Sequence, residues 1–193
     1  FNGYAPYGDM YADIEKFAFF SKAVLSALPL IDFRPDIIHC HDWQTGLVPI
    51  YMDNFRYGNE FYRGINTVMN IHNLKFQGVW DRNFVQGVTG LPDYYFTSDK
   101  LEAYHNANLL KGGIVYADAV STVSPTYAKE ITTVEGGEGL DGLMSARKDS
   151  LYGILNGIDY EEYNPKIDPY IDTNFSRKDV FTGKKKNKAA LQK

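Results

Sequence analysis

Apolar residues recur along this chain in two alternating rhythms. Between positions 13 and 28, Ile14, Phe17, Phe20, Val24 and Leu28 fall at three- and four-residue spacing, which predicts an amphipathic helix ended by Pro29. After a turn at Phe33-Arg34-Pro35-Asp36, residues 37–41 read as a short apolar strand, and residues 45–52 as a helix following a turn at Trp43-Gln44. Residues 66–71 form the next strand pattern, while 79–100 are aromatic, broken by Pro and Gly, and give no clear assignment. Residues 106–116 read as helical despite Gly112-Gly113, and 119–123 as a third strand. Ser124-Pro125 then supplies a helix start, a hydroxyl able to accept from orphan N–H groups with proline in the first turn. A glycine-rich turn at 135–139, a helix over 140–148 and a fourth strand over 151–155 complete the pattern.

Strands alternating with helices predict the α/β class: a Rossmann-like parallel sheet with flanking helices, doubly wound, its right-handed crossovers bringing every strand's carboxyl end to one edge. Ligands of such sheets bind in the crevice beyond those ends. Four strand ends here run into polar punctuation: His41-Asp42, His72-Asn73, Ser124 and Asn156-Gly157. No internal repeat is visible. A boundary near Asp149-Ser150 divides the chain into 1–150 and 151–193. Beyond Asn164-Pro165 the chain is polar, with Phe175, Val180 and Phe181 to bury, like the opening of a further domain.

At 193 residues, 44% hydrophobic and 15% aromatic, the chain can build a sizeable core, so disorder is not expected. The net charge of −4 hides an asymmetry: the last ten residues hold five lysines and no acid, leaving 15 basic against 24 acidic residues elsewhere. So acidic a body argues against a nucleic-acid surface, and the lysines read as the solvent face of a terminal helix. No apolar run is long enough to span a bilayer, so a soluble protein with no membrane partner is expected. The single cysteine, Cys40, sits in an apolar strand and reads as core, consistent with a reducing compartment.

His39-Cys40-His41-Asp42 is the densest set of potential ligands, and the period of two puts His39 and His41 on one face. The only other histidines are His72 and His105, so a metal set is hard to complete. His39 is expected to pack within the sheet, and Asp42, just beyond the strand, is the better functional candidate. His72-Asn73, Asn156-Gly157 and Tyr11 also have structural readings, as loop, turn and surface residues. There is no G-x-G-x-x-G, no G-x-x-x-x-G-K-[ST] and no G-x-S-x-G, which argues against the common phosphate cradles and an α/β-hydrolase elbow.

The segment Pro35 to Gly46, PDIIHCHDWQTG, closely resembles the "PD(I/V)(I/V)HxHDWxxGL" motif of bacterial glycogen synthases and plant starch synthases. Further segments follow in family order: IHNLKFQG from Ile71, LKGGIVYAD from Leu110, VSPTYAKEI from Val123, GLDGL from Gly139, GILNGID from Gly153 and KKNKAALQ from Lys185. The resemblance covers nearly the whole chain. It implies a retaining, metal-independent, cofactor-free glucosyltransferase of the two-domain GT-B type. Such an enzyme moves glucose from ADP-glucose to the nonreducing 4-hydroxyl of an α-1,4-glucan. Residues 1–150 would be the later part of its N-terminal Rossmann-like domain, and 151–193 the linker and start of the C-terminal one. By the same resemblance Asp42 and His72 carry catalysis at the donor site, while Tyr11, Asn73 and Asn156 bind substrate. The family's "K-x-G-G-L" loop and most of its C-terminal domain do not occur in these 193 residues, so the chain alone is expected to be inactive and to self-associate through exposed sheet. The compartment implied is a bacterial cytoplasm, or a plastid in a plant. Two alternatives remain: a GT-B enzyme with another donor, or a noncatalytic glucan-binding module stacking sugars on Tyr94, Tyr95 and Phe96.

Overall fold

The computed structural model describes residues 8–193, in two compact units divided after Leu155. In the first unit, helix α1 (Met10–Leu30) precedes strand β1 (Ile37–His41), helix α2 (Leu47–Arg56) and strand β2 (Asn66–Ile71). There follow β3 (Val79–Asp81), α3 (Arg82–Thr89), β4 (Glu102–Ala103), β5 (Asn106–Asn108), α4 (Leu109–Tyr116), β6 (Ala119–Thr122), α5 (Pro125–Glu130), α6 (Asp141–Ala146) and β7 (Leu151–Gly153). The main sheet is parallel, in the order β1-β2-β6-β7, with Ile37 beside Asn66, Val68 beside Ala119 and Val120 beside Leu151. This is the expected parallel α/β architecture. The strand order advances in one direction, so the reversal that would make the sheet doubly wound does not occur among these four strands. The segment between β2 and α4 carries a second, antiparallel sheet, β3-β5-β4, which the period-two search over such short strands could not resolve.

Several element ends differ from the sequence reading: α2 spans 47–56 rather than 45–52, β6 ends at 122 rather than 123, α6 spans 141–146 rather than 140–148 and β7 ends at 153 rather than 155. Three larger differences have identifiable causes. Helix α1 runs through Pro29 rather than stopping before it. A proline there leaves the carbonyl four residues earlier without its N–H partner; the Tyr62 hydroxyl donates to that carbonyl, Leu25 O, at 3.0 Å. Residues 106–108 are strand rather than helix, because Asn108 caps α4, its side-chain oxygen accepting from Lys111 N. Finally, Leu151–Gly153 pairs with β6, so the first unit continues past the boundary expected at Asp149-Ser150. The Ser124 start is as expected: its hydroxyl accepts from Tyr127 N at 2.9 Å, and Pro125 opens α5.

The core lies between the main sheet and α1, α2 and α4, with Ile14, Leu25, Leu47, Ile50, Met52, Met69, Ile71, Leu110, Ile114 and Val120 buried. Cys40 belongs to this core, and burial pushes its thiol up to about 12. Two glycines permit close approach. A Cβ at Gly46 would lie 2.3 Å from Leu109 O, and one at Gly113 would lie 2.9 Å from Gly46 Cα, so α4 packs onto the start of α2 through bare backbone.

The second unit, residues 156–193, holds one helix, α7 (Val180–Leu191), whose four lysines, Lys184, Lys185, Lys186 and Lys188, are exposed as expected. Within it Phe175 packs on Gly183, and the Asn187 side chain accepts from Thr173 N while donating to Thr173 O and Gly183 O. Phe181, expected to be buried, is exposed.

Candidate functional site

The parallel register delivers the polar strand ends to one place. β1 and β2 pair from Ile37–Asn66 to His41–Asn70, and β6 sets Ser121 beside Asn70. Residues 41, 70 and 121 therefore form a row across three adjacent strands, with Asp42 one residue beyond it at the end of β1 and His72 two beyond it at the end of β2.

Asp42 turns the chain sharply, at φ 55° and ψ −173°. Few non-glycine residues adopt this conformation, and such strain concentrates at functional positions. The turn is held from both sides. Asp42 N donates to Asn70 O at 2.9 Å, and the Asp42 carboxylate accepts from His72 N at 2.8 Å. Thr45 Oγ1 accepts from His41 N and donates to His41 O at 2.8 Å. Asp42 thus ties the end of β1 to the start of the His72 loop.

That loop is anchored further along. Leu74 is buried, and its N–H donates to the Tyr127 hydroxyl at 3.0 Å. Gly78, at φ +63°, lies under the Trp43 indole so closely that a Cβ would sit 2.4 Å from the ring. Ahead of these anchors, between the Asp42 contact and Leu74, the His72 and Asn73 side chains are exposed. Asn73 closes a local turn, its side-chain oxygen accepting from Lys75 N at 3.0 Å.

The imidazoles face one another. His41 Nδ1 lies 3.1 Å from His72 Nε2, and Asn70 Nδ2 donates to His72 Nε2 at 2.8 Å. Asn70 Oδ1 in turn accepts from Ser121 Oγ at 2.8 Å. Burial, then the neighbouring His39 and His72, pushes the His41 pKa below the ordinary imidazole value, with Asp42 opposing. His39 does not pack within the sheet as expected: on the outermost strand of these four it is exposed, its ring 4.3 Å from that of His41. Although His39 and His41 share a face, Asp42 is turned to the His72 backbone, and among the described residues no three His, Cys, Asp or Glu side chains are grouped to hold a metal.

A cavity of about 490 Å³ adjoins this loop, lined by Met10, Trp43, Lys75, Gln77, Gly78 and Glu138; that volume suits a small-molecule site. A second cavity, about 710 Å³, lies beside β4 and β5. Polar side chains on its wall bond to one another or to backbone there: Asn108 Nδ2 to Gln77 Oε1, Gln77 Nε2 to Glu138 O, and Lys111 Nζ to Ser98 O.

Of the residues singled out in the sequence, the structure joins Asp42 and His72 directly, with Asn73 next in the loop. Tyr11 stands in the first turn of α1, half exposed, its ring edge-on to Trp80 and Phe84 at 5.0 and 4.8 Å. Asn156 begins the second unit. Of the aromatic stacking platform, Tyr95 and Phe96 are buried rather than exposed, the Tyr95 hydroxyl donating to Asp53 at 2.9 Å, while Tyr94 is exposed as expected with Lys100 Nζ over its ring. Asn70 and Ser121 were missed. Their signal was polarity inside apolar strands, which a search for residues at strand ends passes over.

A family profile for the starch synthase catalytic domain matches residues 1–146. Glycogen synthases from Lachnoclostridium phytofermentans and Lachnospira eligens are each 63% identical to this chain over its whole length, which spans about 40% of theirs. The catalytic domain of starch synthase IV from Arabidopsis thaliana, bound to ADP and acarbose, superposes with a TM-score of 0.74 at 36% identity, covering 96% of this chain and 38% of that one. No helix among the described residues is long and apolar enough to cross a membrane. With the parallel sheet and these relatives in agreement, the chain belongs to the starch synthase catalytic-domain family of GT-B glycosyltransferases.

Proposed function

We propose that this chain forms the donor-side wall of a glycogen synthase that transfers glucose, with retention, from ADP-glucose to the nonreducing 4-hydroxyl of an α-1,4-glucan. The observation that carries the reading is the convergence of Asp42 and His72, backed by Asn70 and Ser121, at the carboxyl ends of three adjacent parallel strands. The ADP and acarbose of the Arabidopsis relative support a nucleotide donor and a glucan acceptor.

Glucosyl transfer passes through a state with oxocarbenium character while a diphosphate leaves. Catalysis therefore rests on holding hydroxyls in place and setting polar groups against the developing charge. In this reading His72 lies beside the transferred glucose, and Asp42 serves catalysis by fixing the corner from which His72 projects. Asn73, Tyr11 and Asn156 contact donor or acceptor. No metal or cofactor takes part, and the compartment that fits is a bacterial cytoplasm. The N-terminal Rossmann-like domain ends within residues 1–155, and 156–193 opens the second.

The test is glucose incorporation from ADP-glucose into glycogen, comparing the 193-residue chain with the longest open reading frame that contains it. Incorporation by the longer protein alone is the expected result. Incorporation by neither, or with UDP-glucose preferred over ADP-glucose, would overturn the reading.

A further inference from the structure

A hydrogen-bonded line crosses the sheet beneath the candidate site: Ser121 Oγ on β6, the Asn70 carboxamide on β2, and His72 Nε2 just beyond β2. Its chemistry is directional. An amide nitrogen has no lone pair to offer, so where Asn70 Nδ2 meets His72 Nε2 the ring nitrogen is the acceptor and carries no proton. In that orientation the amide oxygen is met by the buried Ser121 hydroxyl, which donates to Oδ1. Asn70 Nδ2 also lies 3.5 Å from His41 Nδ1, a longer contact than its 2.8 Å to His72. With the amide given to His72, the His41 Nδ1, 3.1 Å from His72 Nε2, serves as the second donor to that nitrogen. The neutral His72 ring must then hold its proton on Nδ1, for which no partner stands among the described residues.

We propose that Asn70 and Ser121 are positioning residues that hold His72 as the Nδ1–H tautomer, leaving Nδ1–H as the group that donates to an oxygen of the bound sugar nucleotide. The assignment deepens the functional reading above and, for its consequence in catalysis, rests on it. Which ring nitrogen of a histidine carries the proton is set by the bond the other one makes. The opposite tautomer would place an acceptor at Nδ1, which a sugar hydroxyl could meet only by donating and an ionised phosphate oxygen could not meet at all. The row is also built for rigidity, since positions 70 and 121 are side by side in the parallel register and both are backbone-bonded strand positions.

Nitrogen-15 NMR of the 193-residue chain reads the tautomer directly. Its four histidines are assigned by single His→Gln variants, and the two nitrogens of His72 are distinguished by their couplings to the ring protons. The expected result is a protonated Nδ1 and an unprotonated Nε2. Asn70→Asp, which replaces the donor with an acceptor, is expected to move the proton to Nε2. Ser121→Ala is expected to give a mixture, and Ser121→Thr, which restores the hydroxyl, the original state. In the longer active protein Ser121→Ala is expected to lower kcat about fivefold with KM for glucan unchanged, and Ser121→Thr to recover it, the size expected for one misdirected hydrogen bond. A protonated Nε2 in the parent chain, or a tautomer indifferent to Asn70→Asp and Ser121→Ala, would overturn the proposal. A tautomer that behaves as expected in a protein with no ADP-glucose transfer would support the relay while removing the functional reading.

Discussion

The two compact units of this chain obtain their order in different ways. In residues 8–155 the caps and turns are fastened to a core: every buried apolar side chain of that core lies between Ile14 and Met144. Residues 156–193 repeat the local devices without the burial. Asp159 accepts from the N–H groups of Glu161 and Glu162, Asp179 accepts from Ser176, and Asn187 grips Thr173, yet only Gly183 is buried. Local hydrogen bonds specify a path for the backbone, but each contributes only about 1 kcal/mol net, while burying a large apolar side chain contributes about 2 kcal/mol. The first unit is thus expected to unfold cooperatively, and the second to behave as a set of local preferences.

The largest effect is expected from Gly78→Ala. The new methyl would meet the Trp43 ring at 2.4 Å in a left-handed backbone conformation, for a loss of about 3 kcal/mol from overpacking and strain together. Urea unfolding followed by tryptophan fluorescence reads it, and an unchanged midpoint would show that the His72 loop is not fastened to the core. Tyr62→Phe should cost the first unit about 1–2 kcal/mol by leaving Leu25 O without its donor beside Pro29. Phe175→Ala should speed proteolysis within α7 by removing the ring that packs on Gly183, while the fluorescence midpoint of the first unit stays where it was. A joint shift would erase the contrast between the units.

The last two effects are read from the slope of stability against pH. Burial opposes ionisation of the Asp118 carboxyl, but hydrogen bonds from the Thr67 N–H and hydroxyl and from Arg56 outweigh it and hold the pKa below the usual carboxylate value. The stability this contributes is present above the unfolded pKa and is lost as pH falls through the folded one, so Asp118→Asn should flatten the acid limb of the stability curve. Cys40 has the opposite sign. Its thiol is raised from 9.0 to about 12, so the folded protein keeps a proton that the unfolded chain releases, and stability falls as pH rises across that interval. Cys40→Ala should make the alkaline fall shallower; a thiol reagent consumed rapidly by the folded chain would show instead that Cys40 is not in the core.

Elements whose signal is local are legible in the sequence. The existence of α1, the Ser124-Pro125 start and the placement of Asp42 and His72 just past apolar strands all depend on residues a few positions apart, although the buried face of α1 runs through Ile14, Ala18, Ser21, Leu25 and Leu28 and the expected Phe20 is exposed. What failed were readings in which a distant residue decides. Pro29 stays helical because Tyr62 supplies the missing donor, His39 is exposed because β1 has no neighbour on its outer side among the described residues, and Tyr95 is buried because Asp53 receives its hydroxyl.

The sequence by itself determined the α/β class, the Cys40 core position, the ends of β1 and β2 and the family motifs, since apolar period and capping chemistry are properties of neighbouring residues. Only the tertiary structure decided that Ser121, 51 positions from Asn70, stands beside it and aims its amide at His72. Side-by-side pairing of parallel strands is set by crossover connections and core packing, and no local pattern along the chain encodes which residues that register will bring together.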